Sequence, residues 1–138
     1  MTTAKRFEDL EVWQRAKDLT NLIYKYSAEG SFSREFGLRD QMRRASVSIM
    51  SNIAEGFEGQ TQAMFIKYLG YAKGSAGELR AQLYIARDQG YITEEDFTTM
   101  FSTTEICSRQ LTRLIQYLES QLNARRVRED GATYDVEH

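Results

Sequence analysis

Residues 61–89 read TQAMFIKYLGYAKGSAGELRAQLYIARDQ, and this stretch decides the fold. Apolar side chains recur along it at alternating steps of four and three residues, which is the spacing of one face of an α-helix. The pattern predicts one long helix that begins at Thr61 as its N-cap and buries one face against other helices. The apolar seam consists of Phe65, Leu69, Ala72, Ala76, Leu79, Leu83 and Ala86.

Apolar stripes on both sides of this stretch predict three further amphipathic helices. Short polar segments separate the helices, and Gly56 and Gly59 are expected to end the second one. Residues 124–138 are polar and aperiodic, which predicts a disordered tail. Helices joined by such short loops favour an all-α, antiparallel up-down-up-down four-helix bundle over residues 1–123. We also expect this bundle to assemble into a cyclic homo-oligomer, because one face of the third helix carries small residues that suit a contact with another subunit. The predicted helices cover residues 10–26, 34–57, 61–89 and 93–123.

The composition argues against several classes of protein. A chain of 138 residues can form one domain whose core needs neither a disulfide nor a metal ion. The single cysteine, Cys107, favours a reducing compartment and is expected to pack as a small apolar residue. The single histidine, His138, makes a Ser-His-Asp triad or a histidine-rich metal site untenable. We therefore expect a cytoplasmic protein with no metal and no cofactor, and with no membrane span, because no apolar run approaches ~20 residues.

Charge is distributed unevenly along the chain, whose formal net charge is −2. Residues 39–87 carry seven basic and four acidic side chains, whereas residues 88–138 carry five basic and ten acidic ones. Six of the seven basic side chains of the central segment are candidate contacts for the phosphates of RNA or DNA, which would position a backbone without reading bases. The alternative is that they are solvated helix faces with weak ion pairs. The six candidates are Arg39, Arg43, Arg44, Lys73, Arg80 and Arg87.

A second face of the helix over 61–89 carries small residues where a solvated helix would carry Glu, Lys or Gln. Each glycine in a helix interior lowers helix stability by up to about 1 kcal/mol relative to alanine, so several glycines on one face indicate a structural or functional role for that face. Small residues allow another backbone to approach closely, either within the bundle or from another subunit. We expect an oligomer interface here, the alternative being glycines tolerated in an exposed helix. The face consists of Gly70, Gly74, Gly77 and Ala81.

A polar cluster interrupts the apolar run of the second helix and has possible partners on the third. Ser and Asn are poor choices for a helix interior unless their side chains find hydrogen-bond partners, so we expect a structural polar layer. The alternative is a catalytic carboxylate pair formed by Glu55 and Glu78, but no nucleophile or phosphate-binding loop accompanies it, and we do not expect an enzyme. The cluster consists of Ser48, Asn52, Glu55, Ser75 and Glu78.

Tyrosines offer a further possibility, because aromatic rings can stack on exposed bases. At helical spacing, tyrosines more often lie at the edge of a core or in an interface, and we favour that interpretation. The candidates are Tyr24, Tyr26, Tyr68, Tyr71, Tyr84 and Tyr91.

Two motifs resemble the 23S rRNA-intervening-sequence protein family of bacteria. They are SNIAEG at residues 51–56 and GSA-x-EL at residues 74–79, and FEDLEVWQ at residues 7–14 extends a resemblance that covers residues 7–120. The resemblance implies an antiparallel four-helix bundle assembled into a ring of five, with a role in binding RNA or DNA and with no accepted catalytic residue. It also implies a fold similar to the accessory protein of diversity-generating retroelements, a basic pentamer that associates with a reverse transcriptase and nucleic acid. This chain departs from that protein in its acidic overall balance.

The expected function is therefore that of a non-enzymatic, oligomeric four-helix bundle that binds nucleic acid through basic patches on the second and third helices. The alternative is a protein-interaction scaffold with no nucleic-acid ligand, in which the small-residue face and the tyrosines contact a protein partner.

Overall fold

The computed structural model describes the backbone of residues 4–137 and the side chains of residues 4–130. This part of the chain is helical throughout, without strands, and its connections are short. The α-helices are α1 (Glu11–Ser27), α2 (Phe36–Glu58), α3 (Gln62–Asp88) and α4 (Glu94–Glu137), and 3-10 turns cover Phe7–Asp9 and Gly30–Arg34.

The helices form a four-sided bundle in which each helix packs against the next in the chain and α1 closes the square against α4. Short connections make neighbouring helices antiparallel, as the sequence predicts. Every residue of the predicted α3 seam is buried, and most of them are fully inaccessible to solvent. The predicted all-helical bundle is thereby confirmed, because the apolar stripes do converge on one core.

One end of the bundle is closed by two connections, residues 30–34 and 89–93, which we call the loop end. Phe32 is 1% exposed, and its ring stacks on Tyr91 with centroids 5.7 Å apart. The Tyr91 hydroxyl donates a hydrogen bond of 3.3 Å to the Glu35 carboxylate. Glycines with positive φ, 53° at Gly30 and 77° at Gly90, allow both connections to turn.

Gly56 does not end α2, contrary to the sequence-based expectation. The helix continues to Glu58, and Gly59 follows it in an extended conformation. A Cβ atom at Gly56 would lie 2.9 Å from the Cβ of Tyr68 and 3.0 Å from the ring of Phe65, both on α3. Gly56 is therefore required by the close approach of α2 and α3, a tertiary contact that a local breaker rule does not detect.

The C-terminal boundary also differs from the expectation of a tail beginning at residue 124. The last buried residue of α4 is Leu122, yet the helix runs on to Glu137, while His138 lies outside the described residues. Ala, Arg and Glu over residues 124–130 are strong helix formers and can extend a helix without burying anything. A search for apolar periodicity misses such a segment, because all of its described side chains are exposed.

Candidate nucleic-acid interface

The six candidate phosphate contacts divide into two groups on different sides of the bundle. Those on α2 lie towards α1, where the Nε of Arg43 donates a 2.8 Å hydrogen bond to the Oγ of Ser27. Those on α3 lie towards α4, where the guanidinium of Arg80 stands 5.4 Å from the ring centroid of Phe101. A single chain therefore does not gather all six into one patch.

Two arginines of the α2 group are committed to contacts within the chain. Arg39 donates to the carbonyl oxygen of Ser33 at 2.9 Å and to Asp40 at 3.0 Å. Its guanidinium lies 4.7 Å from the ring centroid of Phe36, and that of Arg43 lies 4.6 Å from Tyr24. Arg39 thus uses two of its nitrogens and Arg43 its Nε for contacts within the chain, so both offer a phosphate fewer donors than an arginine without such contacts.

Arg44 completes the α2 group, is exposed, and forms no hydrogen bond or ion pair with the described residues. It borders a shallow, open depression on the outer face of α2 that also carries the Asp40 carboxylate. The opposite charge of Asp40 weakens this depression as an anion site.

The α3 group forms a continuous row once Tyr84 is included. Lys73, Arg80, Tyr84 and Arg87 follow one another at steps of seven, four and three residues, which places them on one side of α3. At 1.5 Å per residue the row is about 21 Å long. We call these four residues the α3 row.

Three aromatic rings support the arginines of the α3 row. Tyr84, Phe97 and Phe101 form a cluster in which every pair of ring centroids lies between 5.1 and 5.4 Å apart. The guanidinium of Arg87 lies 4.5 Å from the centroid of Phe97 and 5.2 Å from that of Tyr84. Cation–π contacts of this kind orient a planar guanidinium without using its N–H donors.

The donors of Arg80 have no acceptor anywhere in the described residues, and its Nε is buried without a hydrogen-bond partner. Arginines at such depth normally find an acceptor, because an unsatisfied donor carries a desolvation penalty. Lys73 is exposed and also forms no ion pair within the described chain. These two cations therefore keep their charge available to an external anion.

Arg87 is the exception in the row, because it pairs with Asp88 at 3.1 Å and with Glu94 at 3.8 Å. The two carboxylates are 60% and 75% exposed. Exposed ion pairs contribute about 0–1 kcal/mol, so a phosphate can compete for this guanidinium.

The structure brings together three of the five residues of the predicted polar cluster. The hydroxyls of Ser48 and Ser75 share a 2.9 Å hydrogen bond between α2 and α3, and the Nδ2 of Asn52 donates to the carbonyl oxygen of Ser48 at 2.8 Å. Glu55 and Glu78 are exposed and lie outside this layer.

The two carboxylates also lie far from one another. The hydrogen bond places Ser48 and Ser75 at the same height along the bundle axis. Glu55 follows Ser48 by seven residues and Glu78 follows Ser75 by three, and because α2 and α3 are antiparallel these steps lead in opposite directions along the axis. The separation along the bundle is therefore about 15 Å. This is too far for the two groups to act on one bond, and the carboxylate-pair alternative loses its geometric basis.

The small-residue face of α3 is open in the single chain. Gly70, Gly74, Gly77 and Ala81 are all exposed, and a Cβ atom built on any of the three glycines meets nothing within 4 Å beyond the adjacent backbone of its own helix. Packing of this face within the bundle, one of the two options derived from the sequence, is therefore wrong. Either solvent or another chain covers it.

Cys107 is fully buried, as its apolar packing in the sequence pattern suggests. Burial raises the pKa of its thiol to about 12, and the positive charge of Arg15 opposes this effect only in part. The thiol therefore stays protonated and unreactive at neutral pH.

Within residues 4–130 no group of three His, Cys, Asp or Glu side chains is placed to hold a metal ion. None of the described helices combines the length and apolarity needed to cross a membrane.

In the sequence, Phe97 and Phe101 belong to the apolar stripe that predicts the fourth helix, and nothing in that stripe indicates that they support arginines of α3. A local signal exists in the order Arg80, Tyr84, Arg87, where an aromatic ring separates two cations on one helix face. It becomes interpretable only when α4 is seen to place two phenylalanines beneath that face.

Comparisons with known proteins agree with this architecture. A crystal structure of a protein of unknown function from the S23 ribosomal protein family of Bacteroides thetaiotaomicron is similar to this chain, with a TM-score of 0.70 and 24% sequence identity. The similarity covers 76% of this chain and 95% of that one, and it supports the fold alone. No curated protein sequence matches the chain. The model of the 23S rRNA-intervening sequence protein family matches residues 8–113, which confirms the resemblance, and the chain belongs to that family.

Proposed function

We propose that this protein binds the backbone of RNA or DNA through the α3 row. The observation that carries the proposal is Arg80, a guanidinium oriented by the ring of Phe101 whose donors have no acceptor within the described residues. Arginine held in this way is suited to phosphate, because its fork of donors matches two phosphate oxygens.

Lys73 and Arg87 extend the positive charge along the same side of α3. Each lies seven residues from Arg80, or about 10.5 Å along the helix. Three such contacts steer and position a backbone but read no sequence. The acidic residues Asp88 and Glu94 beside Arg87 limit binding at the loop end, so Arg80 and Lys73 carry most of the affinity.

Binding of this type depends steeply on salt, because each neutralised phosphate releases counterions. Three contacts per chain predict that affinity falls by about 20- to 40-fold between 50 and 200 mM salt. The lower figure applies to single strands and the higher one to duplexes.

The test is fluorescence anisotropy with labelled RNA at 50 mM salt, comparing wild type with Lys73→Glu and Arg80→Gln. Lys73→Glu is the cleaner variant, because this side chain is exposed and its loss leaves the bundle unchanged. The matched control is Arg109→Glu with Arg113→Glu, which changes the charge more but on exposed residues of α4 outside the row. We expect the row variants to lose affinity and the control to retain most of it. No binding by wild type at 50 mM salt, or equal losses in both sets, would refute the proposal.

The second candidate is a scaffold that contacts another chain through the open face of α3, the first partner to consider being a second copy. The observation that favours it is the run of Gly70, Gly74 and Gly77, which exposes bare helix backbone. Exposed Tyr71 and Ile85, with 51% and 49% of their surface accessible, border this run and add apolar area to it. The ring of five implied by the family is the assembly that this candidate predicts.

Multi-angle light scattering of wild type and Gly74→Leu tests the scaffold. A leucine at this position fits the single chain, because nothing lies within 4 Å of its Cβ, but it keeps another backbone away. The matched control is Ser102→Leu, at an exposed position of α4. Assembly in wild type and the control but not in Gly74→Leu supports the scaffold, and a monomeric wild type at micromolar concentration removes it.

A further inference from the structure

Tyr84 is the residue of the α3 row that phosphate binding leaves unexplained. It is 44% exposed, although it belongs to a cluster with Phe97 and Phe101 and could have been covered by them. Its position between Arg80 and Arg87, four residues after one and three before the other, interrupts the line of cations with a ring.

The ring of Tyr84 is held in a fixed orientation. Phe97 packs against it at an interplanar angle of 49° and Phe101 at 68°, so both phenylalanines approach it at an angle and neither covers it face to face. The guanidinium of Arg87 lies 5.2 Å from its centroid. These neighbours hold the ring while 44% of the residue stays exposed, and a ring fixed in this way loses little conformational entropy when a ligand stacks on it.

From this arrangement we infer that the α3 row takes single-stranded nucleic acid in preference to duplex, with a base stacked on Tyr84 or on the adjacent Arg87 plane while Arg80 and Lys73 hold the flanking phosphates. This inference rests on the proposed function. Alternation of cations with an aromatic platform is the arrangement used for single strands, because every base offers a π-face.

Duplexes cannot use the same platform. Their bases are stacked on each other and present only edges in the grooves, so a duplex reaches the cations of the row but not the ring. Tyr84 therefore contributes only to single-strand binding, whereas Lys73 contributes to both. This difference separates the inference from the function on which it rests.

The experiment measures the binding of a labelled 12-nucleotide RNA and of its duplex to the full chain at 50 mM salt. The variants are Tyr84→Leu, Tyr84→Trp and Lys73→Glu, and the matched control is Tyr24→Leu. Tyr24 is as exposed as Tyr84, 43% against 44%, but it lies on α1, outside the α3 row and outside the open face of α3.

We expect tighter binding of the single strand by wild type and a loss of at least about fivefold in Tyr84→Leu for the single strand only. Tyr84→Trp should retain single-strand binding, because tryptophan keeps a stacking surface. This variant therefore distinguishes a loss of stacking in Tyr84→Leu from a structural effect of the leucine. Tyr24→Leu should match wild type, and Lys73→Glu should weaken the binding of both ligands.

Three results would overturn the inference, and a fourth would refute the function on which it rests. Equal affinity for both ligands, or an unchanged single-strand affinity in Tyr84→Leu, refutes stacking while leaving phosphate binding intact. Loss of single-strand binding in Tyr84→Trp to the same extent as in Tyr84→Leu refutes it as well. Binding of neither ligand by wild type refutes the proposed function itself.

Discussion

Replacement of Gly70, Gly74 and Gly77 by alanine together should stabilise the single bundle. Each added methyl group meets no side chain and no neighbouring helix within 4 Å, so no repulsion from them opposes the higher helix propensity of alanine. A gain of about 0.8–1 kcal/mol per site gives about 2.4–3 kcal/mol for the three. With an unfolding entropy of ~0.29 kcal/mol/K for a chain of this length, the thermal midpoint should rise by about 8–10 °C.

The assay is thermal unfolding followed by circular dichroism, at concentrations where light scattering gives the mass of one chain. Gly56→Ala is the matched control, and its effect should have the opposite sign. There the new methyl group would lie 2.9 Å from the Cβ of Tyr68, and moving α3 away should cost about 1–3 kcal/mol. A lower midpoint for the triple variant would mean that the methyl groups collide with atoms of the same chain, and the description of this face as open would be wrong.

Three further predictions concern stability and reactivity. The Cys107 thiol should not react with a thiol reagent at pH 8 in the folded protein and should react after denaturation. Burial raises the pKa of this thiol from 9.0 to about 12, so unfolding releases a proton at pH values between the two. The free energy of unfolding should therefore fall as the pH rises through this window, which urea titrations at a series of pH values would show. A chain that stops at Asn123 should have a free energy of unfolding within ~0.5 kcal/mol of that of the full chain in the same titration, since the described side chains after this residue are all exposed. A larger loss of stability would mean that the C-terminal extension packs against the bundle. Phe32→Ala should cost about 3–5 kcal/mol, because the ring is 1% exposed and stacks on Tyr91, and an unchanged urea midpoint would show that the loop end contributes no stability.

The candidate site illustrates the limit of sequence reasoning on this chain. The spacing of Lys73, Arg80 and Arg87 identifies a row of cations on one helix face, and the structure keeps that row intact. Whether the donors of an arginine are free to bind a phosphate depends on its neighbours in space. From the sequence alone, Arg43 and Arg80 are equally good candidates. The first donates to Ser27 of α1, whereas the second lies on Phe101 with its donors unused.

Periodic apolar residues alone determined the four helices and the face that each one buries, because a helix with one apolar side has few ways to remove it from water. The tertiary structure decided which small residues are structural. Gly56 and Gly74 both lie inside helices, but a methyl group at the first would collide with α3, whereas one at the second would meet no side chain and no neighbouring helix. That distinction depends on the distance between two helix axes, and no local property of the sequence encodes it.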